Sequence, residues 1–269
     1  MNQTLQFQGR EKMPNASAAT RLDVTRPKCS VCAVARRCLP GNLSEGQTVR
    51  FEGAVMRCRQ LAAGDHLFRV GDPFRWMFAV YTGCFKTYAV DSEGREHVLS
   101  FHFASEIIGV DAIYPERHVS NCVALVDSLV CYLPFPAVTR MAHDMPELQS
   151  QLFRVLSRDL LSITSMAGDF TAEERLAAFL VMVAARLRVR GPSPTQLELA
   201  MSRQDIANYL RLAPETVSRI LARFQKSGLV KADRKHITLT DADGLMDIAA
   251  CMNPYARYGN QQPMRANLA

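Results

Sequence analysis

The chain has 269 residues, 48% of them hydrophobic and 22% charged, with a formal net charge of +6 and a pI near 9.0. That is enough chain for one large or two modest domains with real cores. No apolar run approaches the ~20 residues that span a bilayer, and the N-terminal stretch lacks the apolar core of a secretory signal. A cytoplasmic protein with no membrane partner is expected.

Residues 1–28 are polar and aperiodic and read as a flexible arm. Behind them CSVCAVARRC, residues 29–38, concentrates three of the eight cysteines. In a reducing compartment, clustered cysteines bind metal or sense redox state more often than they form structural disulfides. The isolated Cys58, Cys84 and Cys251 read as small buried hydrophobes. From about Gln60 to Phe135, short apolar stretches alternate with turns such as Gly64-Asp65, Gly71-Asp72-Pro73 and Ser92-Glu93-Gly94. Strands at such spacing argue for a sandwich or barrel. His97, His102 and His118 lack the paired spacing of a cupin-like metal enzyme, and no nucleophile–base or phosphate-loop motif accompanies them, so an enzyme is not expected.

After Met145-Pro146 the period changes. Leu148, Leu152, Val155, Asp159, Ile163 and Met166 recur at spacings of three and four, one face of a long helix. The other side carries Phe153, Leu156 and Leu160, so the helix has apolar surface for both a barrel and a partner. The first stripe is read as a dimer seam. Asp159 within it either meets its symmetry mate or, more simply, pairs with Arg158. A capping box at Thr171 and Glu174 opens the next helix.

RQDIANYLRLAPETVSRILARFQKSG, 203–228, then reads as helix, short turn, helix, with Pro214 in the second helix's first turn and Gly228 just beyond its end. LVKADRKHITLT adds two short strands around a basic turn, a wing. Between Thr195 and Thr240, eight Lys and Arg face four Asp and Glu, so +4 of the net charge lies in this segment. Such a footprint suits double-stranded DNA. Glu215, Ser218 and Arg219 at the start of the second helix are the candidate base readers. Thr216, Arg203, Arg223 and Lys226 are candidate phosphate contacts. Arg211 stands where such turns usually need glycine, because φ is positive there.

Together these segments resemble the CRP/FNR family of dimeric transcription regulators from Cys29 to Leu245. ETVSR at 215–219 is similar to that family's recognition helix. AEERLAAFL, ARFQKSG and SLVCYLPF at 128–135 resemble its FNR branch. The resemblance implies an α+β chain divided into five parts. These are the arm, a cysteine segment with a cyclic-nucleotide-binding-like jelly-roll β-barrel (29–143), a dimerisation helix (144–170), a winged helix-turn-helix (171–248) and a flexible tail (249–269). It also implies an oxygen-labile [4Fe–4S] cluster on Cys29, Cys32, Cys38 and Cys131, a homodimer on a TTGAT-type palindrome in the absence of oxygen, and contact with RNA polymerase near Ser92–Arg95. Spacing alone admits zinc on the same four sulfurs, or a thiol–disulfide regulator, and does not choose between Cys122 and Cys131. The nucleotide-binding branch places Gly-Glu and Arg-Ser pairs where this chain has Gly109-Val110 and Val119-Ser120, so the bidentate phosphate partner is missing and cyclic nucleotide control is not expected.

Overall fold

The structure, a computed structural model, describes residues 28–252 apart from Met56, Ala167 and 188–195. The expected arm and most of the expected tail therefore lie outside the described residues. At the near end of that tail, Ala250–Met252 form a 3-10 turn with Met252 buried, which corrects the expectation of a flexible segment there.

The cysteine segment folds as three 3-10 turns, Cys29–Val31, Ala35–Arg37 and Leu39–Asn42. Gly41 lets it double back, because a Cβ there would overlap the Arg36 carbonyl. Ser44 and Gln47 form a capping box that starts α1 (Glu45–Glu52). Eight strands follow: β1 (Arg57–Leu61), β2 (His66–Phe68), β3 (Trp76–Thr82), β4 (Cys84–Val90), β5 (Glu96–Phe103), β6 (Ile107–Ile108), β7 (Asn121–Ala124) and β8 (Ser128–Pro134). They form two antiparallel four-stranded sheets, β1-β8-β3-β6 and β2-β7-β4-β5. Leu61, Phe78, Val80, Phe85, Ile108 and Val130 fill the space between them. The outer face of the first sheet, through Met77, Ala79 and Leu133, is covered by Leu39, Phe51 and Val55 of the preceding segment.

Helix α2 (Phe135–Asp144) stops at Met145, whose backbone is extended, and α3 (Pro146–Met166) follows at once. The C-terminal part comprises α4 (Ala172–Leu187), β9 (Gln196–Glu198), α5 (Arg203–Leu210), α6 (Pro214–Lys226), β10 (Val230–Asp233), β11 (His236–Leu239) and α7 (Ala242–Ala249). Its three strands pair in the order β10-β11-β9. This domain packs on β4 and β5: Val98, Phe101 and Phe103 share one core with Phe179, Leu180 and Tyr209. Since β5 is an edge strand, its unpaired backbone needs partners. Asn208 supplies them, accepting from Val98 N at 2.7 Å and donating to Glu96 O at 2.6 Å. Among the described residues no helix is long and apolar enough to cross a membrane.

Candidate metal centre and nucleic-acid interface

Cys29, Cys32, Cys38 and Cys131 line one small cavity of about 20 Å³, floored by Ala79 and Leu133 and walled by Phe51 and Val55. Leu39 anchors the segment in the core below, and Glu52 ties it to α1 by accepting from Ser30 N at 2.6 Å. Arg36 and Arg37 are exposed. Burial first, and then neighbouring Cys32, Glu52 and Cys58, push the Cys29 thiol up to about 12. Burial likewise pushes Cys38 up to about 12, against the hydrogen bond from the Leu39 backbone. Among the described residues no three His, Cys, Asp or Glu side chains are drawn in to metal-holding distance. The donor set suits an iron–sulfur cluster or zinc, and the cavity between the sulfurs is barely larger than a water site.

The other cysteines separate cleanly. Cys122 lies in the barrel interior and Cys84 in the core shared with the C-terminal domain, so neither reaches the cavity. Cys58 departs from its expected role as an isolated core thiol: its sulfur lies 3.0 Å from that of Cys131. Cys131 is pushed well up, first by the hydrogen bond it shares with Cys58 and then by burial. No sequence signal reveals this pairing, because it depends on the register of β1 against β8.

The helix α3 requires a correction. Leu148 is 0% exposed and packs into the same core as Leu39, with Leu152 and Val155 partly buried against it. Leu148 is thus taken up by its own barrel, and Leu152 and Val155 lean on the same core. Asp159 is half-buried, reached by Arg158 Nε at 3.4 Å, and burial raises its carboxyl. Phe153, Leu156, Leu160 and Ile163 form the exposed stripe, at 61, 41, 61 and 69%. Only Ile163 of the expected seam belongs to it.

In the C-terminal domain Ser202 and Asp205 cap α5, and Arg211 ends it at φ 57°, ψ 45°. Arg211 thus adopts the left-handed geometry itself. Val217, Ile220, Leu221 and Phe224 bury one side of α6, leaving Glu215, Ser218 and Arg219 exposed on the other. Arg219 donates to the Thr216 hydroxyl at 3.2 Å, and the Ser218 hydroxyl to Pro214 O at 3.0 Å. Lys226 is exposed. Arg223 pairs with Glu173 at 2.6 Å, and Arg203 donates to Arg234 O at 2.8 Å, bracing the wing. Both must give up or share those bonds to hold phosphates.

Comparison with known proteins agrees with this architecture. The Crp-like helix-turn-helix domain matches residues 174–248, and the cyclic nucleotide-binding domain matches 58–144. The transcriptional activator protein Anr of Pseudomonas aeruginosa is 39% identical over 224 residues, covering 82% of this chain and 92% of the relative. The chain belongs to the CRP/FNR family. Within that family it sits in the FNR branch, since the fumarate and nitrate reduction regulatory protein of Escherichia coli is 36% identical over 82% of this chain and 90% of its own. FixK2 from Bradyrhizobium japonicum superposes with a TM-score of 0.64 at 24% identity, covering 71% of this chain and 96% of that one. A CRP/FNR-family regulator from Thermus thermophilus does so at 0.57 and 21%, covering 72% and 98%. These two show the fold alone. Relatives in the FNR branch are transcription regulators, not enzymes, and this CRP/FNR chain is a DNA-binding regulator of the same kind.

Proposed function

We propose that this chain is an oxygen-responsive cytoplasmic regulator. As a homodimer it would hold a [4Fe–4S] cluster on Cys29, Cys32, Cys38 and Cys131 and bind a TTGAT-type palindrome when oxygen is absent. One observation carries the reading: those four thiols line a single cavity whose covering segment also packs, through Leu39, beside the barrel-facing side of α3. When bound, the cluster supplies a thiolate-held centre whose oxygen lability is that of the FNR branch. The chain's own residues carry the consequence. Leu39 shares a core with Leu148, Leu152 and Val155, Gln47 Nε2 donates to Glu147 at 2.9 Å, and Arg50 pairs with Asp144. Release of the cysteine segment therefore loosens the base of α3 and re-aims its exposed stripe, which is the proposed dimer seam. A few kcal/mol of such coupling suffices to shift a two-state balance.

In the dimer, the two α6 helices would enter successive major grooves about 34 Å apart. Glu215, Ser218 and Arg219 would read bases, with Thr216 and Lys226 on phosphates. The hairpin tip at Ser92–Arg95, braced by Asp91 accepting from Glu93 N and Arg95 N at 2.9 Å each, is the surface proposed for RNA polymerase. Against cyclic nucleotide control, Arg117 is exposed and donates to Gly71 O at 3.0 Å, while His118 stacks on Phe68 at 3.6 Å. Anaerobic purification with iron and sulfide analysis tests the reading. A coloured protein that bleaches in air is expected, and Cys131→Ser, but not Cys122→Ser, should lose both colour and oxygen-free operator binding. A colourless zinc protein would overturn it.

A further inference from the structure

Cys58 is the thiol that the proposed function leaves unused. Strands β1 and β8 are antiparallel neighbours, and their register sets Cys58 directly opposite Cys131. Directly opposed residues share a sheet face, with Cα atoms about 4.5–5.5 Å apart, inside the roughly 4.4–6.8 Å that a disulfide spans. The sulfurs already meet at 3.0 Å. Closing a bridge therefore needs side-chain rotation and no change of backbone. Cys58 is 3% exposed, whereas Cys131 is half-buried and lines the cavity.

We propose that Cys58 and Cys131 form a thiol–disulfide couple, which closes when Cys131 is not held by metal and withholds that sulfur from the cluster site until it is reduced. The oxidant is a low-molecular-weight disulfide of the glutathione type. Cys131, the more accessible sulfur, attacks it and gives up its proton, forming a mixed disulfide and expelling one small thiolate. Cys58 then attacks the Cys131 sulfur and expels the second. The protein pair loses two electrons and two protons, the small disulfide gains them, and two small thiols leave. The couple itself is independent of the metal. Its competition with cluster loading rests on Cys131 being a ligand, as proposed above.

The test uses the full chain, purified without oxygen and divided into a cluster-loaded portion and a chelator-stripped portion. Both are incubated anaerobically in oxidised glutathione, free thiols are alkylated, and disulfide-linked peptides are identified by mass spectrometry. A Cys58–Cys131 linked peptide is expected in the stripped portion and not in the loaded one while its iron remains. Oxidised, stripped protein should fail to take up iron and sulfide until a dithiol is added, whereas Cys58→Ser and Cys58→Ala should reload without one. No Cys58–Cys131 peptide in the stripped wild-type protein would overturn the couple, as would exclusive linkage of Cys131 to Cys29, Cys32 or Cys38. Equal bridging in the loaded portion with iron retained would overturn the competition and, separately, the ligand role of Cys131.

Discussion

Arg211 pays its conformational cost where the two helices of the DNA-binding motif meet, at φ 57°. A non-glycine residue in that region costs roughly 1–2 kcal/mol, and its side chain is exposed. Arg211→Gly is expected to raise stability by about 1 kcal/mol, after the entropy glycine loses on folding is subtracted. Urea unfolding measures it, and an unchanged or lowered midpoint would show that the arginine side chain contributes something the left-handed backbone does not reveal. The cysteines divide at the same scale. C-x₂-C-x₅-C is visible as a motif, but the segregation of Cys122 into the barrel and Cys131 into the cavity depends on which face of its strand each occupies.

At the scale of elements, α3 shows how two apolar stripes on one helix are apportioned. The first half of the stripe read as a seam, Leu148 to Val155, packs on its own barrel, where Leu39, Met145 and Val138 share a core with Leu148. Leu148→Ala should therefore destabilise the fold by about 2–5 kcal/mol. Leu160→Glu should leave the monomer's unfolding nearly unchanged and shift the protein from dimer to monomer, read by sedimentation. If Leu160→Glu stays dimeric, the exposed stripe is not the seam. Recognition helix α6 divides more simply, since burial of Val217, Ile220 and Leu221 leaves Glu215, Ser218 and Arg219 outward. Arg219→Ala is expected to cost about 1–3 kcal/mol of operator affinity and relax one base position, while Lys226→Ala weakens all sequences alike and lowers the salt slope by about one. Equal loss on specific and random DNA for Arg219→Ala would remove it from base readout.

Across the whole molecule, the DNA-binding domain is held to the barrel by a polar clamp beside the shared aromatic core. Lys86 Nζ meets Asp205 and Glu96 at 2.8 Å each, and a cleft of about 500 Å³ beside it is lined by Arg95, His97, Asn208 and Arg211. Burial opposes the charge on Asp205, but hydrogen bonds from Lys86 and Ser202 outweigh it and lower its pKa. Burial likewise opposes the charge on Lys86, but its bonds to Asp205 and Glu96 raise its pKa. A lowered carboxylate stabilises above its unfolded pKa and loses that contribution as pH falls through the folded one. A raised ammonium stabilises below its unfolded pKa and loses that contribution as pH rises through the folded one. With ordinary values near 3.9 and 10.4, docking should be flat between about pH 5 and 9 and weaken outside it. Lys86→Met should cost about 1.5–3 kcal/mol at neutral pH and reduce the acid-side loss in thermal unfolding. An identical acid profile in the variant would assign that loss to other groups.

Local chemistry was sufficient for much of this protein. Helix caps at Thr171 and Ser202, Pro214 and Gly228 around α6, the basic wing and the cysteine spacing each act within a few residues, and each is legible in the chain. The sequence by itself thus determined a winged DNA-binding domain, a strand-rich partner and a thiol-rich segment before it. Tertiary structure alone decided which side of α3 meets the barrel, that Cys122 lies inside while Cys131 lines the cavity, and that Cys58 stands opposite Cys131. Those outcomes depend on strand register and on competition between apolar faces for one core. Both are settled by residues far apart in the chain, through contacts that no local pattern encodes.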